Sequence, residues 1–401
     1  MNSDQSFTQR LQQAQRAVAE LPEPDSAARA HSLQLLAVIK ERMTQQGGAI
    51  SFHDFMQLAL HAPGLGYYSA GSRKLGKDGD FITAPETSPL FARCLARAIQ
   101  PLLQSLPQRH VLEVGAGSGV MAAGVLNELS ANNCKLDSYT ILELSADLKQ
   151  RQAETLQQHA PLVNWRDSLP ENFTGIVLAN ELLDAMPVHR VVWEQGKLQE
   201  CYVAWEEDRF VWQAGPLSTP RLQSRFEEII SRLGDLPDGY VTEINLAAED
   251  WINTLGANLQ QGMVLLIDYG FAQHEYYHPQ RTQGTLMCHY RHRAHDDPLI
   301  LVGLQDITAH IDFTAMADSA LAADMQVAGY TTQAHFLLGS GLTELAEQNE
   351  GDAVQQLELV NQVKRLTLPQ EMGELFKVMA LTKNFRINMP GFMLRDLRNS
   401  L

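Results

Sequence analysis

The residues at 111–120, VLEVGAGSGV, have the makings of a ligand cradle: an apolar run, a carboxylate at Glu113, and glycines at Gly115, Gly117 and Gly119. Glycine has no Cβ, so such a turn can bend tightly and let a ligand approach the backbone where the next helix begins. The pattern is not that of a dinucleotide cradle, which requires glycine or alanine three positions after Gly117, where Val120 stands. A carboxylate at Glu113 would repel a diphosphate and attract a ligand carrying an ammonium and a sulfonium. A second acid, Glu143 in ILELS at 141–145, closes the next apolar run about 24 residues after Gly119. Rossmann-like sheets place an acid there to accept hydrogen bonds from both ribose hydroxyls.

Leu144 completes that strand end. Asp167, followed by Ser168, stands after a third apolar run, where it can receive an adenine amino group; capping a helix is its competing reading. The segment ANELLDAMP at 179–187 ends a fourth run with Asn180, Glu181 and Asp184, and Asp268 and Tyr269 end a fifth. The cofactor these residues suit is S-adenosylmethionine. NAD would use the ribose acid equally but finds no matching glycine pattern.

Positioning these groups is the task of alternating strands and helices from Arg109 onward, an α/β pattern with a mostly parallel sheet. The expected strands are 110–114, 138–143, 162–165, 174–179 and 263–268, with later ones at 327–332 and 375–381. A β-rich run from Val188 to Gln213, turning near Gly196 and Glu207, reads as an inserted antiparallel meander, followed by a helix from Arg221 to Leu233. Helices are expected at 5–21, at 26–45, near 312–324 and between 342 and 364, and 270–311 reads as irregular. The expected organisation is an N-terminal helical arm (1–48), a lid and connecting segment (49–108), the main domain (109–384, with insertions near 188–262 and 270–311) and a tail (385–401).

Of the 401 residues, 45% are hydrophobic and 19% charged, enough to bury a large core. A net charge of -16 excludes a sequence-independent grip on nucleic acid, which needs clustered lysine and arginine. Cys94, Cys134, Cys201 and Cys288 have no metal or CxxC spacing and read as reduced thiols, so no metal is expected. The first thirty residues resemble neither a secretory signal nor a presequence, and no uncharged apolar run reaches about 20 residues. The expectation is therefore a cytoplasmic protein without membrane insertion, with a homodimer left open.

GDFITAPE (79–86), the glycine turn, ANELLDAMP, IDYG (267–270), DPL (297–299), DITAHIDF (306–313) and MGELFKVMA (372–380) together resemble the MidA family. That family includes the mitochondrial arginine methyltransferase that assists assembly of respiratory complex I. The resemblance spans about residues 50–384. It implies a class I methyltransferase fold, a Rossmann-like sheet with an antiparallel last strand and a helical and loop substrate region. It also implies S-adenosylmethionine as donor and a protein client with an accessible arginine. Glu181 and Asp184 then become the carboxylate pair for the guanidinium fork, Asp268 and Tyr269 orient the acceptor, and His310 collects the released proton. Thr83, Pro85 and Glu86 belong to a lid over the donor. Where family members carry SerProAla after the glutamate at 243, this chain has IleAsnLeuAla. A silent donor-binding assembly factor and a small-molecule methyltransferase are the rival readings.

Overall fold

Five apolar runs lie side by side in a computed structural model that describes residues 21–69, 83–348, 351–386 and 388–401. The helix expected at 5–21 falls almost wholly outside the described residues, as does the 79–82 part of GDFITAPE. The strands are β1 (His110–Val114), β2 (Ser138–Leu142), β3 (Val163–Arg166), β4 (Phe173–Asn180), β5 (Leu259–Phe271), β6 (Ile311–Asp312), β7 (Gln326–Thr332) and β8 (Phe376–Lys383). Their order is β7-β8-β5-β4-β1-β2-β3, with β6 beside the end of β5. Strands β1 to β5 run parallel, and β8 runs antiparallel to both β5 and β7.

Continuous apolarity explains this arrangement. Ile176, Val177, Leu178 and Ala179 on β4, and Met263 to Ile267 on β5, are all buried, as expected where helices cover both faces of a parallel sheet. Each of these side chains other than Ala179 contributes about 1.5–3 kcal/mol by leaving water. The helix Pro89–Ser105 starts at Ser88, whose hydroxyl accepts from the amide of Leu90 at 3.2 Å, with proline in the first turn.

Compact unit boundaries do not follow the consecutive segments expected from composition. One unit comprises Ile82–Leu183, Glu249–Ala272 and Ile311–Leu401 and holds the parallel sheet; the other comprises Met1–Phe81, Asp184–Ala248 and Gln273–His310. In the second unit the meander strands His189–Glu194, Lys197–Glu206 and Arg209–Gly215 form an antiparallel sheet with Tyr240–Ile244 and with Ala49–Ser51. The helix Ser26–Gln45, expected as part of an arm, buries Leu35, Ile39 and Met43 against Phe52, Phe55, Val203 and Trp212 in that unit's core. Their spacing of four makes one helical stripe. The segment 270–311 is also less irregular than expected: Met287–Tyr290 pairs with Arg293–His295 and Asp306–Thr308. Strands of three or four residues are too short for alternation to show in sequence.

Among the described residues no helix is long and apolar enough to cross a membrane. The four cysteines are buried, and burial pushes the Cys94 and Cys201 thiols up to about 12.

Candidate active site

The turn after β1 needs glycine at three places, because Gly115, Gly117 and Gly119 have φ of 70°, 54° and 82°. The Gly115 amide donates to the Leu142 carbonyl at 3.1 Å, tying the turn to the end of β2. On its other side the helix Ala146–Thr155 holds the turn's carbonyls: Gln152 Nε2 donates to that of Gly117 at 3.0 Å, and Thr155 Oγ1 to that of Ser118 at 2.9 Å. The Ser118 hydroxyl donates to Glu86. This brings the short helix Ala84–Thr87, with Thr83 as its cap, Pro85 buried and Glu86 in its first turn, onto the glycine loop.

Glu143 follows β2 and is 8% exposed. Its Oε1 accepts from the Ser145 amide at 2.9 Å and its Oε2 from Gln152 at 3.0 Å. Leu144 beside it is 74% exposed. Asp167 makes an ion pair with Lys149, and Ser168 beside it is exposed. No helix follows Asp167 before β4, so the capping alternative is removed.

Glu113 departs from its expected role as a plain negative charge beside the turn. It lies on β1, 1% exposed, and its Oε2 accepts from Tyr139 Oη at 2.5 Å. Burial raises its carboxyl to about 7, opposed by the Tyr139 hydrogen bond and reinforced by the charge on Glu143. The folded chain thus holds the carboxyl proton more tightly than an unfolded chain titrating at 4.5. Stability then falls as pH climbs from the unfolded value through the folded one, by roughly 3 kcal/mol. Glu113→Gln cannot ionise and should narrow the gap in unfolding free energy between acidic and mildly alkaline buffer by that order. Denaturant titrations of parent and variant at about pH 5 and pH 8 measure it; an unchanged gap would show that Glu113 does not titrate there.

At the end of β4, Asn180 Nδ2 donates to Glu181 Oε1 at 3.1 Å, and the Ala84 amide donates to the same oxygen at 3.3 Å. The Asn180 Oδ1 atom is buried and has no hydrogen-bond partner among the described residues. Glu181 has φ of 50°, in the left-handed region that a glutamate rarely adopts. Its amide donates to the Ile267 carbonyl of β5 at 2.9 Å, which holds it there. Asp268, 1% exposed, accepts from the Leu183 amide through Oδ2 and from the Tyr269 amide through Oδ1, each at 2.9 Å. Those bonds make it a clamp on the segment carrying Glu181. The Tyr269 ring packs on Phe376 with centroids 3.9 Å apart.

One unit therefore brings together Thr83, Pro85, Glu86, the glycine turn, Glu113, Glu143, Asn180, Glu181, Asp268 and Tyr269. They gather near the carboxyl ends of parallel strands, where open α/β sheets bind ligands. Asp184 and His310 fall in the other unit. There Asp184 is buried, and its carbonyl accepts from the Ala309 amide at 3.0 Å. Tyr68 donates to Asp306 at 2.8 Å; burial, with the charges of Asp306 and Asp184, holds its hydroxyl far above the usual phenol range. His310 Nδ1 donates to the Thr285 carbonyl at 3.2 Å. A carbonyl only accepts, so this bond places the neutral ring's lone pair on Nε2.

Sequence reasoning missed Gln152, Trp165 and Tyr139. Only Gln152 left a trace, as a polar residue on the face where the Ala146–Thr155 helix meets the sheet. Glu243, whose context departs from the MidA pattern, is fully buried, 3.6 Å from Arg190 and accepting from the Thr285 amide at 2.7 Å.

The model of the S-adenosyl-L-methionine-dependent methyltransferase family Methyltransf_28 matches residues 94–331. A crystal structure of a Burkholderia thailandensis protein bound to S-adenosyl-homocysteine is 43% identical, covering 95% of this chain and 100% of that one with a TM-score of 0.90. Mouse "protein arginine methyltransferase NDUFAF7, mitochondrial" is 27% identical, covering 90% of this chain and 87% of that protein. The homolog of the same name from Caenorhabditis elegans is 28% identical, covering 92% and 91%.

Proposed function

From the chain's membership of the S-adenosyl-L-methionine-dependent methyltransferase family Methyltransf_28, we propose that it methylates an arginine on a protein client. When bound, S-adenosylmethionine supplies a methyl group made electrophilic by its sulfonium. The residues present fit that donor. The three left-handed glycines leave room for close backbone approach, Glu143 has lone pairs beyond those taken by Ser145 and Gln152 to accept from ribose, and the orphaned Asn180 Oδ1 suits an ammonium donor.

The observation that carries the arginine reading is Glu181, a carboxylate locked at φ of 50° by bonds to Ala84, Asn180 and Ile267 beside that orphaned amide. Strained backbone over-determined by its neighbours is a mark of functional positions. A guanidinium, with a pKa above about 12, stays charged, so the enzyme's work is to orient one nitrogen and balance the cation. Glu181 supplies that balance. Asp268 holds the backbone that follows Glu181 through its bond to the Leu183 amide. The names of the curated relatives support the choice of arginine.

The test is transfer of isotope-labelled methyl from the donor to matched peptides carrying arginine or lysine, read as methylated amino acids after acid hydrolysis. Label in methylarginine is expected. Label in lysine alone would overturn the arginine reading, and no transfer to either peptide would favour the silent donor-binding assembly factor.

A further inference from the structure

The helix Ala146–Thr155 buries one residue, the amide Gln152, which has 0% of its surface exposed. A glutamine at that depth is costly unless its polar atoms are matched. Its Oε1 accepts from the Trp165 indole at 2.9 Å, and its Nε2 donates both to the Gly117 carbonyl and to Glu143 Oε2, each at 3.0 Å. The orientation of the amide is forced, because an indole N–H only donates and a peptide carbonyl only accepts. Glu143 is thus pinned through both oxygens, by Gln152 on one and by the Ser145 amide on the other. Gly119 permits the approach: a Cβ there would stand 3.3 Å from the Gln152 Cα.

We infer that Gln152 is a positioning residue for the donor's ribose, setting the Glu143 carboxylate and the Gly117 carbonyl in one arrangement through a single amide. Trp165 is its orienter, since without the indole the amide loses the contact that decides which end faces Glu143. The inference rests on reading Glu143 as the acceptor of the ribose hydroxyls. A glutamine with only a packing role would, when replaced, weaken every donor-site ligand alike. One acting through Glu143 costs ligands that have hydroxyls to offer more than ligands that lack them.

Calorimetric titration of S-adenosylhomocysteine and its 2′,3′-dideoxy analogue separates these cases in the full chain, in Gln152→Met and in Trp165→Phe. The parent should prefer the hydroxylated ligand by on the order of tenfold or more. In Gln152→Met that preference should collapse toward unity, with most of the loss falling on S-adenosylhomocysteine, and Trp165→Phe should move it the same way. A preference that survives in the variants, whatever affinity both ligands lose together, overturns the inference. Equal binding of the two ligands by the parent would remove Glu143 from the ribose and the inference with it. Should Gln152→Met not fold, the preference measured in Trp165→Phe decides.

Discussion

Gly117→Val is expected to abolish binding of S-adenosylhomocysteine, a loss of at least about a hundredfold, or roughly 2.7 kcal/mol, while the chain still folds. Gly117 has φ of 54°, and its carbonyl is held by Gln152. A valine cannot take that conformation without a penalty of about 1–3 kcal/mol, and relaxing to negative φ breaks the Gln152 bond. Either way the turn no longer presents a bare backbone to the ligand. Backbone strain alone is separated by Gly196→Val, in the hairpin of the other unit. Gly196 has φ of 71° and nothing within 4 Å of an added Cβ, so its replacement carries a similar strain with no ligand surface involved. Calorimetry and thermal melts on both variants should show comparable destabilisation but lost binding only in Gly117→Val. Parent-like affinity there would refute the cradle.

The parallel sheet could be read from sequence because its strands are buried on both faces. The runs around Val177 and Leu265 are continuously apolar, those around Leu112 and Ile141 are apolar but for Glu113 and Thr140, and all end at glycine, acid or amide. For the same reason the glycine turn, Glu143 and Glu181 could be named in advance: each terminates such a run. What stayed hidden depends on partners distant in sequence or on surroundings. The tether of Asp306 to Tyr68 crosses 238 positions, and the hold of Thr285 on His310 joins residues of a segment that reads as loop. Glu113 was recognisable as an acid, but the upward shift of its carboxyl comes from burial, which composition does not reveal. Asp167 was placed at the right strand end, yet its ion pair with Lys149 is set by the helix between them. The division of the chain into two units was obscured because the antiparallel sheet draws strands from Ala49–Ser51, from the meander and from Tyr240–Ile244.

Replacing Glu181 is expected to separate donor binding from transfer. Its Oε1 accepts from the Ala84 amide and from Asn180, so Glu181→Ala leaves two donors without an acceptor and should lower stability by about 1–3 kcal/mol, besides removing the charge. Glu181→Gln keeps an oxygen in the same place and changes the charge alone, which makes it the sharper variant. In Glu181→Gln, which keeps an acceptor for the Asn180 amide, S-adenosylhomocysteine affinity should stay within a few-fold of the parent, because the contacts proposed for ribose, turn and ammonium lie on Glu143, the glycines and Asn180. Turnover of an arginine peptide should drop about 10²–10³-fold, the range found when one electrostatic contact to a developing charge is removed, or about 3–4 kcal/mol. The pattern across the constants matters as much as the size. Loss in kcat at saturating peptide means the carboxylate acts as the methyl group moves, whereas loss confined to KM means that it only captures the guanidinium. Steady-state kinetics with both substrates varied distinguishes the two, and undiminished methylation by Glu181→Gln would take the residue's charge out of the mechanism.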